Sequence, residues 1–186
     1  WFTYLGTQIG EDYVAANAIL INFVFLSAFI LDAYAFSTEG IVGYSLGKKD
    51  LNLFKKIIKN SFILSSLSGL LISIIYLFTY DHVINLMSDI KEIRELSTSY
   101  VVWLIILPII SSFCYQFDGI FIGTSQTKEL RNAMIFSVLI YLIISILLTK
   151  FLFNTGIWIS LCIFMILRAI SLFYYLDKIY LRFRSN

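Results

Sequence analysis

Three carboxylates lie inside stretches that otherwise read as membrane helix: Asp32 and Glu39 in ILDAYAFSTEGIVG, and Asp118 in SSFCYQFDGIFIG. An acid at the centre of a spanning helix costs roughly 2.5 to 3.5 kcal/mol, against a gain of about 0.3 to 0.6 kcal/mol for each Leu or Ile. These side chains must therefore face a bundle interior or a wet cavity, not lipid. A desolvated carboxylate cluster passes between protonated and anionic states, which in chemical terms is a proton or cation switch. The bland alternative is a buried polar contact that fixes helix register.

Asp32 and Glu39 are seven residues apart. At about 100° per residue they fall within roughly 20° of each other on one helix face. Ala28, Ala35 and Gly43 share that face and are small enough to admit a neighbouring helix or leave room for a cavity. Ser111, Tyr115 and Asp118 fall at i, i+4 and i+7, so a second polar stripe, with Tyr115 and Ser111 as cavity-lining residues, is expected to face the first. Pro108, the single proline, precedes Ser111 by one turn. Its missing N–H and its clash with the carbonyl four residues back predict a kink near Leu104, either a hinge or a static bend. Phe25, Phe29, Tyr34, Phe36, Phe113, Tyr115 and Phe117 flank the acids, an aromatic supply that suits an organic cation.

The elements that position these residues follow from composition. Hydrophobic residues make up 59% of the chain and charged ones 14%, with mean hydropathy +0.85; soluble domains average about 45 to 50% and about 25%. An all-α, polytopic membrane bundle is the expected fold class. Five spans are expected, at about 13–46, 54–80, 100–123, 133–153 and 157–176. The opening WFTYLG reads as the stub of a further helix, and the chain as a fragment. Segment 81–99 is long, mixed in charge and helix-prone, with Ile84, Met87, Ile90 and Ile93 spaced as one apolar stripe. A surface helix, or an extension of the third span, is expected there.

Basic residues sort by loop. Lys48, Lys49, Lys55, Lys56 and Lys59, then Lys128 and Arg131, then Lys178, Arg182 and Arg184 share one side, cytoplasmic by the positive-inside rule. Lys55, Lys56 and Lys59 serve as a topology anchor, with an anionic-lipid contact as the alternative. Arg168, inside the last span, either snorkels to the headgroups or pairs within the bundle. The net charge of +2 suggests no nucleic-acid partner. Cys114 and Cys162 lie in apolar runs and support neither a disulfide nor a metal site, and His82 reads as a surface residue.

Two segments carry a family resemblance: VAANAILINFVFLSAFILDAYAFSTEGIVGYSLGKKD and LPIISSFCYQFDGIFIGTSQTKELRNAM. Together they resemble the C-terminal half of a multidrug and toxic compound extrusion (MATE) transporter of the DinF-like branch. The resemblance implies twelve helices in two six-helix lobes around a central cavity. Residues 1–12 would then be the stub of helix seven with an external loop, 13–176 the bundle of helices eight to twelve, and 177–186 a basic cytoplasmic tail. It further implies a secondary antiporter in a bacterial inner membrane. Sodium or proton influx would drive export of amphipathic or cationic small molecules, with no cofactor and no enzymatic step. Asp118 matches an acidic position of helix ten that relatives use in cation coupling, and Asp32 and Glu39 match the acidic pair of helix eight. The partners implied are the small-molecule substrate, membrane lipids and the missing N-terminal lobe. A lipid-linked oligosaccharide flippase of the same superfamily is the runner-up, disfavoured because it would need a cationic cavity. An intramembrane aspartate enzyme using Asp32 and Asp118 has no accompanying motif, and the cost of the buried acids argues against a purely structural subunit.

Overall fold

The computed structural model describes residues 1–184 of the chain, all helical apart from short connections. Helix α1 is Phe2–Thr7, α2 Glu11–Gly47, α3 Leu51–Met87, α4 Lys91–Ser99 and α5 Val101–Gly123. The remaining stretch, Thr127–Arg184, is broken at Phe153, whose φ of 50° and ψ of −134° leave the helical region. It is two helices, α6 over 127–152 and α7 over 154–184. The chain reverses there. The Tyr141 and Phe164 rings lie 5.5 Å apart, Lys178 reaches Glu129, and Gly156 packs on the backbone of Leu148, all pairs centred near the break. A side chain at Gly156 would collide with that backbone, so FNTG needs its glycine for the two helices to close.

Four helical stretches are long and apolar enough to cross a membrane, and the last is folded into two, so five spans result. At about 1.5 Å per residue α6 and α7 reach roughly 39 and 46 Å, more than the hydrocarbon thickness of about 30 Å. The chain is an integral, multi-pass membrane protein. Its exposed large side chains, including Leu71, Phe78, Phe136 and Ile143, clothe the outside of the bundle as lipid contact requires.

The turns at the basic end are made alike. Lys49 (φ 56°) and Ser125 (φ 57°) each follow a helix cap in the left-handed conformation. Asp50 N–H donates to the Ser45 carbonyl and Gln126 N–H to the Phe121 carbonyl, each closing the last turn. Asp50 then starts α3, its carboxylate accepting from the Leu53 N–H at 2.9 Å. Arg182 of α7 donates to the Thr124 carbonyl at 2.7 Å and so satisfies the end of α5.

Segment 81–99 meets the expectation of a surface helix only in its second half, α4, where Ser97 alone is buried. Residues 81–87 prolong the second span, not the third, and α4 is a separate short helix. Ile84 is only 1% exposed and belongs to the core, whereas Met87 and Ile90 are 43% and 54% exposed, so no continuous stripe forms. The Ser88 hydroxyl accepts from the Ile90 N–H at 3.3 Å, a local bond that competes with the helix and accompanies the extended backbone between α3 and α4.

Helices α2 and α5 run parallel and cross closely. A side chain at Gly119 would collide with the Ala35 backbone, and one at Gly123 with that of Glu39, while Gly43 faces the Gly123 carbonyl. Gly119 and Gly123 form a small-xxx-small pair, the spacing that lets two membrane helices bring their backbones together. Helix α3 is antiparallel to α5, with Gly69 against the Pro108 carbonyl and Ser65 donating to the Ser112 carbonyl.

Candidate cation recess

The close α2–α5 crossing sets the site. With Gly119 pressed on Ala35 and Gly123 on Glu39, Asp118 is carried to the edge of α2. A recess of about 280 Å³ opens there, lined by Asp32, Phe36 and Glu39 from α2, Tyr115 and Asp118 from α5, Leu130 from α6 and Arg168 from α7. The three carboxylates singled out in the sequence thus share one cavity. Asp118 lies five residues before the end of α5, about 7.5 Å along the axis, so the recess belongs to the basic half of the bundle.

Asp118 is 8% exposed, and a guanidinium NH₂ of Arg168 donates to its Oδ2 at 2.5 Å. Both side chains are largely out of solvent. Asp118 Oδ1 and Arg168 Nε are buried and, among the described residues, lack hydrogen-bond partners. The pair is therefore only half satisfied, and removing either member would strand a buried charge. Asp32 and Glu39 are half-buried and, among the described residues, neither is in an ion pair. The formal charge of the recess is three negatives against one positive.

The second stripe divides between two neighbourhoods. Tyr115 borders both the acidic recess and a small closed cavity of about 10 Å³ that it shares with Ser27, Tyr76, Pro108 and Ser111. Ser111 lies in the small cavity alone, its hydroxyl donating to the Leu107 carbonyl at 2.7 Å, and so stands away from the acids. Pro108 is buried within α5, which stays helical on both sides of it. A Cβ on the facing Gly69 would come within 2.7 Å of the Pro108 carbonyl, so α3 braces this turn closely. Of the flanking aromatics, Phe36 lines the recess, Phe117 is core, and Phe25 and Phe29 face outward.

Several polar residues escaped the sequence reading. Thr38 donates to Gln116 Oε1 at 2.9 Å across the α2–α5 contact, and Gln116 Nε2 has no partner among the described residues. Asn17 and Asn154 exchange hydrogen bonds at 2.6 and 3.1 Å, and Trp158 donates to Asn17 Oδ1 at 3.0 Å. The only signal available was an amide inside an apolar run, in AANAI and in YQFDG; Asn154 looked like turn chemistry.

Residues 2–147 match the family described as MatE. The chain is 32% identical over 170 residues to DNA damage-inducible protein F of Escherichia coli (strain K12), covering 91% of the chain and 37% of that protein. The chain belongs to the MatE family. It spans little more than a third of the length of that curated MatE relative. MatE proteins are membrane transporters. The MatE match takes in Asp32, Glu39 and Asp118 and stops short of Arg168.

Proposed function

We propose that the chain is the C-terminal lobe of a secondary efflux transporter, which exports amphipathic or cationic small molecules against the influx of protons or sodium. The observation that carries this reading is the convergence of Asp32, Glu39 and Asp118 on one recess inside the spans. Carboxylates in a low-dielectric cavity favour a cation strongly, and among the described residues two of the three have no counter-ion. Phe36 at the rim offers an aromatic face to an organic cation. The outward Phe25 and Phe29 give α2 an apolar face for lipid or for the first lobe of the same protein.

In this reading the end bearing Lys48, Lys49, Lys128, Arg131, Lys178 and Arg182 faces the cytoplasm of a bacterial inner membrane, and the C-terminus lies inside. Pro108 serves as the bending point of α5 between outward-open and inward-open states. The test is Asp118→Asn in the full-length protein. Compared at membrane levels matched to wild type, it is expected to lose drug extrusion and dependence on the ion gradient. Unchanged resistance at normal expression would remove Asp118 from coupling.

A further inference from the structure

Asp118 does not await a cation. It already holds one, covalently tethered to α7. We infer that Arg168 is a resident cation of the recess, and that an incoming cation reaches Asp118 only by exchange with the Arg168 guanidinium. The inference rests on the proposed transport role of the recess and specifies how its occupancy is controlled.

Three observations support exchange over a permanent structural tie. The pair is made through one oxygen and one nitrogen only: Asp118 Oδ1 and Arg168 Nε are both buried and unpartnered, so the two-bond fork that makes Arg–carboxylate pairs strong is absent. A pair of that kind recovers little of its desolvation cost and is open to replacement. Asp32 and Glu39 line the same recess without ion-pair partners among the described residues, so the guanidinium has other carboxylates in its own cavity when it leaves Asp118. Finally, Arg168 stands on α7 whereas the acids stand on α2 and α5, so exchange alters the tie between α7 and the α2–α5 pair. Occupancy of the recess is thereby coupled to helix packing, as a transport step requires.

Benzyltrimethylammonium, an aromatic monocation that cannot lose a proton, is a suitable probe. Its binding to purified full-length protein is to be measured by calorimetry for wild type, Arg168→Gln, Asp118→Asn and the double variant. With the tether removed, affinity should rise about tenfold in the wild-type background, a modest figure for freeing a carboxylate in a low-dielectric site. In the Asp118→Asn background the same change should matter less than about threefold, since the exchanged partner is gone. Equal tightening in both backgrounds would reduce Arg168 to a distant field and overturn the inference, as would no tightening at all.

Arg168→Gln also strands a buried carboxylate, so its folding is itself a readout. The probe should raise the melting temperature of Arg168→Gln more than that of wild type and should do little for the double variant. Failure of the probe to rescue a destabilised or unfolded Arg168→Gln counts against exchange. Wild-type cells that extrude cationic drugs while the binding cycle is flat would overturn the inference and leave the proposed function standing. Wild-type cells with no extrusion would overturn the proposed function itself.

Discussion

Two polar clusters fasten α7 to the bundle, one at its start and one near its middle, and they are built on opposite principles. Near the start of α7, Asn17, Asn154 and Trp158 form a neutral network with hydrogen bonds of 2.6, 3.1 and 3.0 Å, all three side chains buried. Every donor and acceptor group in it has a partner. Toward the basic end, Arg168 meets Asp118 through one hydrogen bond, with an oxygen and a nitrogen left over and two more carboxylates in the same recess. A satisfied neutral network has one good arrangement and acts as a lock. A half-satisfied ionic one has several of similar energy and can be rearranged by a ligand. The α7 helix is thus pinned at its start and adjustable at its middle, while Arg182 ties its last turns to Thr124.

The sharpest way to break this contrast is to remove charge from one side of the ionic pair. Arg168→Met should destabilise the full-length protein by about 3 to 5 kcal/mol by stranding Asp118, whereas Asp118→Asn with Arg168→Met should recover most of that loss. Chemical unfolding in detergent measures both. A double variant as unstable as the single would mean that the pair contributes by packing and not by charge.

The α2–α5 crossing that creates the recess offers the next test. Gly119→Ala places a methyl group against the Ala35 backbone and should cost about 1 to 3 kcal/mol. Gly40 lies in the same helix as Ala35 but meets nothing within 4 Å, so Gly40→Ala should instead stabilise, by up to about 1 kcal/mol of helix propensity. Opposite signs for the two glycines would confirm close approach as the cause. Loss of cation binding should accompany Gly119→Ala alone.

Breaking the neutral lock should cost less and leave the recess untouched. Asn17→Val orphans Asn154 and Trp158, and interhelical hydrogen bonds of this kind are worth about 0.6 kcal/mol on average and about 1.7 at most. A loss of about 1 to 2 kcal/mol with unaltered benzyltrimethylammonium affinity is expected. Altered affinity would show that the two clusters on α7 are coupled and the contrast overdrawn.

These residues also mark how far the sequence could be read. Span positions were legible because turn chemistry is local: SLGKKDLN contains both the left-handed Lys49 and the capping Asp50, and FNTG contains the reversal. The first half of segment 81–99 is not legible because its register depends on a distant core, where Ile84 is buried, and a periodic pattern does not reveal which helix it prolongs. Ser111 and Asp118 share a helix face, yet seven residues separate them by about 10.5 Å along the axis, so they meet different neighbours. Arg168 could be placed in a span but not paired, since pairing requires α7 to lie parallel to α5 with one rotation out of many. Asn17 and Asn154 are separated by 137 residues, beyond the reach of any local pattern.

The smallest expected effect comes from the surface counterpart of the ionic pair. Glu129, in the first turn of α6, accepts a hydrogen bond from Lys178 of α7 at 3.1 Å. Burial pushes its carboxyl upward, but the Lys178 hydrogen bond, the backbone at the helix start and the charges of Lys178 and Lys128 together hold it below the usual glutamate value. A carboxyl lowered by folding stabilises the fold above its unfolded titration point and loses that contribution as pH falls through its folded one. The contribution should therefore be full at neutral pH and vanish on the acid side of the ordinary glutamate range. Lys178 is more than half exposed, so screening leaves at most about 0.5 kcal/mol. Glu129→Gln should reproduce the acid loss at neutral pH and be insensitive to further acidification at this site, whereas Arg168→Met should remain damaging in high salt. A Glu129→Gln effect as large and as salt-resistant as that of Arg168→Met would erase the distinction between a screened surface tie and the buried charge of the recess.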